Sequence, residues 1–179
     1  MENSKRVVIV KEFMGKYNIN EFYRPIAQAL CKKFPEIKSV PINSLLFLDN
    51  TEGTGKSLDK IKYAQAGKVP GKWAEVIYQL TGNWYTNYIE FFKRNTEGMT
   101  REQIVALVYH ELRHIMHDGN LQHHDVEDWS EMHRFFGRNW ASTKAIIPDL
   151  LDDDIDWDVL ESGQQRLNFG DTGGLKVVR

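Results

Sequence analysis

Apolar positions recur along this chain with two different periods, and each period predicts its own elements. Residues 19–34, INEFYRPIAQALCKKF, follow the helical period. Phe22, Ile26, Ala29, Leu30 and Phe34 then share one side, with Asn20 as a possible N-cap and Pro25 confined to the first turn. The run VVIV at 7–10 reads as a short strand or an extended arm, and VPINSLLFLD at 40–49 reads as a strand. The runs WAEVIYQL (73–80) and WYTNYIEFF (84–92) are rich in aromatic and β-branched residues and are separated by a Thr-Gly-Asn turn, which predicts an antiparallel hairpin.

A helix is expected from Thr100. Thr100 and Gln103 form a T-x-x-Q capping box ahead of an apolar-periodic run to Met116, and Gly119 can end it. Asp125 and Asp128 offer N-caps for a second helix reaching about Phe136. The stretch from 152 is acidic, then Gly-rich and polar, and reads as a weakly ordered tail or docking arm. This divides the chain into a folded domain over 1–148 and a tail over 149–179.

Composition narrows the class. A chain of 179 residues with 41% apolar and 27% charged residues is long enough to bury one core. No apolar run approaches the roughly 20 residues of a membrane span, and the start of the chain holds no signal-peptide pattern. Cys31, the single cysteine, fits a small core residue in a reducing cytoplasm. Net charge of −2 gives no indication of nonspecific nucleic-acid binding. The charge is split, however. Residues 1–72 carry 13 Lys/Arg against 7 Asp/Glu, and the remainder carries 10 against 18, so the basic half could favour an acidic partner.

Two stretches carry candidate chemistry. NTEGTGKS resembles a phosphate-binding loop, but Asn50 stands where the first glycine of G-x-x-x-x-G-K-[ST] is needed, and a solvent loop is the better reading. The second stretch is YHELRHIMHDGNLQHHDVEDW at 109–129, which contains five of the six histidines.

On a helix advancing about 100° per residue, Ile104, Leu107, Val108, Leu112 and Ile115 face the core. His110 and His114 stack one turn apart at the edge of that arc and can converge on one ion. Glu111 points between Leu107 and Val108, where a carboxylate costs several kcal/mol unless compensated. H-E-L-R-H therefore reads as two zinc ligands plus a Glu placed to take a proton from water. An amphipathic helix with surface histidines is the competing reading. The helical phase, the capping box and the downstream histidines count against it.

A third ligand must come from further along the chain. His117 lies about 10 Å from His110 along a straight helix and reads as a bystander. The DGN turn at 118–120 returns the chain, and of the adjacent His123 and His124 only one should reach the ion. His124 is favoured because it sits next to the cap Asp125, which could also orient a ligand. Glu127 and Asp128 offer a rival carboxylate ligand, and His133 reads as a hydrogen-bonded core histidine.

TREQIVALVYHELRHI followed by HHDVEDW resembles the putative phage metallopeptidase domain and, more distantly, the SprT-like zinc proteases. The resemblance covers roughly residues 40–140. It implies a small α+β zincin whose short, mostly antiparallel sheet packs against the HExxH helix and a second helix. His110, His114 and His124 would be Zn²⁺ ligands, Glu111 the general base, and a peptide or protein the substrate. It also implies that YIEFF forms a sheet edge able to pair with that substrate. For the oxyanion, Arg113, Tyr109 and the tyrosines of 84–92 are candidate donors. A non-catalytic, metal-stabilised phage–host interaction module and a protease acting on DNA-bound proteins are the alternatives.

Overall fold

The computed structural model describes residues 15–53, 61–124, 128–142 and 145–151. The expected arm at 7–10, the GKS part of the loop, Asp125, Glu127 and the tail from 152 lie outside the described residues.

Four strands make one sheet: β1 (Tyr17–Ile19), β2 (Leu45–Asn50), β3 (Ala64–Lys68) and β4 (Asn87–Phe92), in the order β1-β2-β4-β3. The β1–β2 and β3–β4 pairs are antiparallel and β2–β4 is parallel. The helices are α1 (Tyr23–Lys33), α2 (Gly71–Thr81), the single turn α3 (Lys93–Thr96), α4 (Arg101–Arg113) and α5 (Ser130–Phe136). This is the expected α+β class, with the sheet packed against the HExxH helix α4.

One core joins these layers. Ile26 and Leu30 of α1, Leu45 and Phe47 of β2, Ile89 and Phe91 of β4, and Val105, Val108 and Leu112 of α4 are all buried in it. Each such side chain contributes about 1.5–3 kcal/mol by leaving water. Met132 of α5, Ile147 and Leu151 close the same cluster. Polar ties fix α1 on the sheet. The Tyr23 hydroxyl donates to Asp49 at 3.0 Å, and Arg24 donates to the carbonyls of Ile42 and Leu45 at 2.7 and 2.9 Å. Asn20 is not the N-cap: α1 starts after Phe22 without a side-chain cap, and Asn20 Oδ1 instead accepts the Phe22 N–H at 3.0 Å in the turn that precedes the helix.

The stretch expected to be the first arm of a hairpin is instead the helix α2. Its apolar residues Trp73, Val76, Ile77 and Leu80 recur at i, i+3, i+4 and i+7, a helical period that their β-forming composition obscured. Pro70 precedes the first turn, and Gly82 ends the helix at φ 73°, a left-handed conformation that glycine adopts without strain. The strand that actually pairs antiparallel with β4 is β3, AQAGK, whose small residues give little strand signal. Gly67 leaves room for the Tyr88 ring to lie across the strand: a Cβ at 67 would meet Tyr88 Cζ at 2.3 Å, so the ring would have to move aside.

The capping box of α4 forms as expected. Thr100 Oγ1 accepts the Gln103 N–H at 3.3 Å, and Gln103 Oε1 accepts the Thr100 N–H at 3.0 Å. A cap of this kind is worth about 1 kcal/mol. The helix ends at Arg113, short of Met116, because the chain turns back on itself. Ile115 bridges Leu121, and the Gln122 N–H donates to the His114 carbonyl at 2.8 Å.

Candidate metal centre

The return of the chain after α4 builds the site. His110 and His114 project from the last turn of α4, and the 115–122 turn brings His124 back against them. The nitrogens that these three histidines offer all lie within 4.8 Å of one another. His110 Nε2 and His124 Nε2 are 3.0 Å apart.

Each ring on α4 is oriented through its other nitrogen. His110 Nδ1 is 2.7 Å from Asp128 Oδ1, and His114 Nδ1 is 2.8 Å from the Gln122 carbonyl oxygen. A carbonyl can only accept, so His114 carries its proton on Nδ1 and leaves the Nε2 lone pair free to coordinate. Asp128 is itself held. Its Oδ2 accepts the Trp140 indole N–H at 2.8 Å and its Oδ1 accepts the Trp129 N–H at 2.7 Å. Burial opposes ionisation of Asp128, but the bonds from His110, Trp140 and Trp129 outweigh it and hold the carboxyl well below its usual range. Behind Trp140, Gln103 Nε2 donates to the carbonyls of Trp140 and Ser142 at 2.9 and 2.8 Å. The first turn of α4 therefore fixes the loop that steadies His110 on its last turn.

Glu111 is 3% exposed, and its Oε2 has no hydrogen-bond partner among the described residues. Burial pushes its carboxyl up to about 7, partly countered by the His110 charge and by the Ala66 backbone N–H. A buried, half-satisfied carboxylate beside three converging imidazoles is costly without a cation or a water to receive it. The residues thus fit a metal ion: three neutral nitrogen donors and an orphaned acid on one helix. Among the described residues no fourth His, Cys, Asp or Glu joins the cluster.

The site opens into a cleft of about 1210 Å³, with Ala64, Gln65 and Ala66 on one wall and His133, Arg138 and Trp140 on the other. The expected sheet edge is corrected here. YIEFF forms β4, which lies inside the sheet between β2 and β3, and the strand bordering the cleft is β3. Phe92 N–H donates to Tyr63 O and Val69 N–H donates to Thr86 O, so odd-numbered residues of β3 bond to β4. Even-numbered residues turn their backbone groups outward. Ala66 uses one of these on Glu111.

The other sequence candidates fall as follows. His123 is exposed at the rim of the cleft and outside the cluster, and His117 is exposed. His133 lines the cleft, with Nε2 3.9 Å from Asp128 Oδ2, rather than sitting in the core. The proposed oxyanion donors do not reach the site. Arg113 lies over the Trp129 ring at 4.7 Å and donates to Tyr109 and Glu131 at 3.2 Å each, while Tyr109 hydrogen-bonds Glu36. Neither they nor Tyr85 and Tyr88 line the cleft. Asp128, a cap or rival-ligand candidate in the sequence, is neither: α5 is capped at Trp129 without a side-chain bond, and Asp128 sits instead against His110 and Trp140, a contact with no signal in the sequence.

No helix among the described residues is long and apolar enough to cross a membrane. Neither the curated proteins nor the solved structures contain a match to the chain. A family model described as putative phage metallopeptidase matches residues 15–151, which spans the whole site, and the chain belongs to that family.

Proposed function

We propose that this chain is a zinc-dependent peptidase encoded by a phage or prophage, with His110, His114 and His124 as metal ligands and Glu111 as the general base. The observation that carries this reading is the pairing of three converging imidazoles with the buried Glu111 carboxylate, whose Oε2 has no partner among the described residues. The donor set supports zinc over magnesium or calcium, which require oxygen ligands. Zinc held there supplies Lewis acidity toward a carbonyl and lowers the pKa of water.

The protein's own groups do the rest. Glu111 Oε2 takes a proton from water in the cleft and delivers it to the leaving amine, the burial that raises its carboxyl being offset by the positive charge of the bound ion. Asp128 keeps the Nε2 atom of His110 directed at the ion. The outward backbone groups of Ala64, Ala66 and Lys68 pair with an extended peptide, which places a scissile bond near Glu111. A purely structural metal would need a closed, four-ligand site, and the open cleft favours catalysis.

The test compares wild type with Glu111→Gln. Bound zinc should stay near wild-type stoichiometry while hydrolysis of a quenched peptide falls by about 10²–10⁴. Undiminished hydrolysis in the variant would overturn the assignment.

A further inference from the structure

The open charges of the cleft walls are of one sign. Lys62, which precedes β3, and Arg138, which follows α5, line the cleft from its two walls, and both are exposed. Neither forms an ion pair with a carboxylate among the described residues. The described carboxylates that line the cleft are Glu111 and Asp128. Glu111 is buried in the metal centre, and both oxygens of Asp128 are taken up by His110, Trp129 and Trp140. Among the described residues, then, a polypeptide lying in the cleft meets open cations and no open carboxylate.

Both cations are placed where a substrate must pass. The backbone of Lys62 is fixed, its carbonyl accepting a hydrogen bond from Asn95 Nδ2 at 2.7 Å. Lys62 lies four residues before Ala66, whose backbone N–H meets Glu111. At about 3.3 Å per residue this is about 13 Å along the strand, and the Lys62 charge acts on the Glu111 carboxyl. Arg138 comes from the facing wall. Gly137 ends α5 at φ 78°, and the chain beyond it lines the cleft with both Arg138 and Trp140. The Arg138 guanidinium offers a planar fork of donors that matches a carboxylate. Cleft walls of low dielectric concentrate the field of such charges. An acidic segment is therefore attracted at both walls, and a Lys- or Arg-rich one is repelled at both.

We propose that the cleft selects acidic substrate polypeptides, with Lys62 and Arg138 pairing with Asp or Glu side chains within about four residues of the scissile bond. This rests on the peptidase reading and deepens it by naming the substrate class. Lys62 and Arg138 determine specificity, because they meet substrate side chains away from the reacting atoms.

The test uses quenched-fluorescence peptide libraries with randomised central positions, flanked on both sides by Glu-Glu, Gln-Gln or Lys-Lys. Zinc-loaded wild type at low salt should cleave the Glu library about tenfold faster than the Gln library, at about threefold for each exposed pair. The Lys library should be slowest, and the Glu preference should shrink at about 0.5 M salt. In Lys62→Gln/Arg138→Gln, with both changes at exposed positions, the Glu-to-Gln ratio should fall to about one. The ratio is the readout because Lys62 also acts on Glu111, which shifts the rates of all peptides together. Equal rates for the Glu and Gln libraries in wild type overturn the proposal. So does a ratio that the variant leaves undiminished, because the preference then comes from the ion or from another part of the surface. If zinc-loaded wild type cleaves none of the libraries, the peptidase reading fails by itself. Selection is then read from the anisotropy of labelled Glu- and Gln-flanked peptides: tighter Glu binding that the variant abolishes retains the proposal, and any other pattern overturns it.

Discussion

Asp128 and Trp140 form the contact on which the candidate metal centre leans: the indole N–H donates to Asp128 Oδ2 at 2.8 Å while Oδ1 of the same carboxylate faces His110 Nδ1 at 2.7 Å. A carboxylate pinned at both oxygens cannot rotate away from the imidazole it orients. Removing such an outer partner typically costs 10–100-fold in metal affinity. Asp128→Asn should therefore weaken zinc binding by about that factor. Trp140→Phe, which keeps the ring and removes only the N–H, should weaken it less. Competition against a chromophoric chelator at fixed pH measures both, and wild-type affinity in both variants would show that the contact does not support the ligand.

His124 and His123 are neighbours in sequence but not in placement. His124 reaches within 3.0 Å of His110, and His123 stays exposed at the rim. His124→Ala should lose stoichiometric zinc, and with it the thermal stabilisation that zinc gives by binding only the folded state. His123→Ala should keep both. A melting curve of each variant with and without added zinc separates them, and a zinc-induced rise in Tm for His124→Ala equal to that of wild type would remove His124 from the ligand set.

The return of the chain from His114 to His124 depends on one backbone conformation. Gly119 has φ 76°, and its carbonyl accepts a hydrogen bond from Asn87 Nδ2 at 3.0 Å. A Cβ there would sit 3.0 Å from Asn87 Oδ1. Gly119→Ala forces an L-residue into the left-handed region, at about 1–2 kcal/mol. Tm should fall by about 3–6 °C, with weaker zinc binding because the turn carries Gln122, the partner of His114. Gly119→Asn should do less harm, since Asn tolerates this conformation. Calorimetry on both variants decides it, and an undiminished Tm in Gly119→Ala would mean that the turn relaxes without cost.

The site was more legible in the sequence than the sheet, for a physical reason. The histidines of α4 are read from a helical period that local capping enforces, so four-residue spacing translates directly into geometry. Strand identity is set by neighbours. AQAGK becomes a strand because β4 offers it a ladder and Tyr88 covers its glycine, while WAEVIYQL is helical despite residues that favour strands. The pairing of β2 with β4 joins residues some forty apart, and nothing local encodes it. The contacts of Asp128 and Trp140 are silent in the sequence for the same reason. They join a loop to a helix through side chains whose types, an acid and an indole, are unremarkable where they stand.

Glu111 is where stability and function oppose one another. Its carboxyl is buried with Oε2 unpartnered, and burial raises it to about 7 from an unfolded value near 4.5. An acid whose folded pKa is raised contributes its full stability below the unfolded pKa. That stability is lost as pH rises through the folded value. Metal-free protein should accordingly be less stable at pH 8 than this residue allows at pH 4.5, by on the order of 3 kcal/mol. Glu111→Leu, close in volume, removes the buried charge. In chelator-treated samples it should raise Tm at pH 8 and change it little at pH 5, while abolishing hydrolysis at every pH. Thermal melts of the two proteins across pH 5–8 test this. A pH-independent difference would show that the gain came from packing, and a lower Tm for the variant at pH 8 would show that the carboxylate is satisfied without metal.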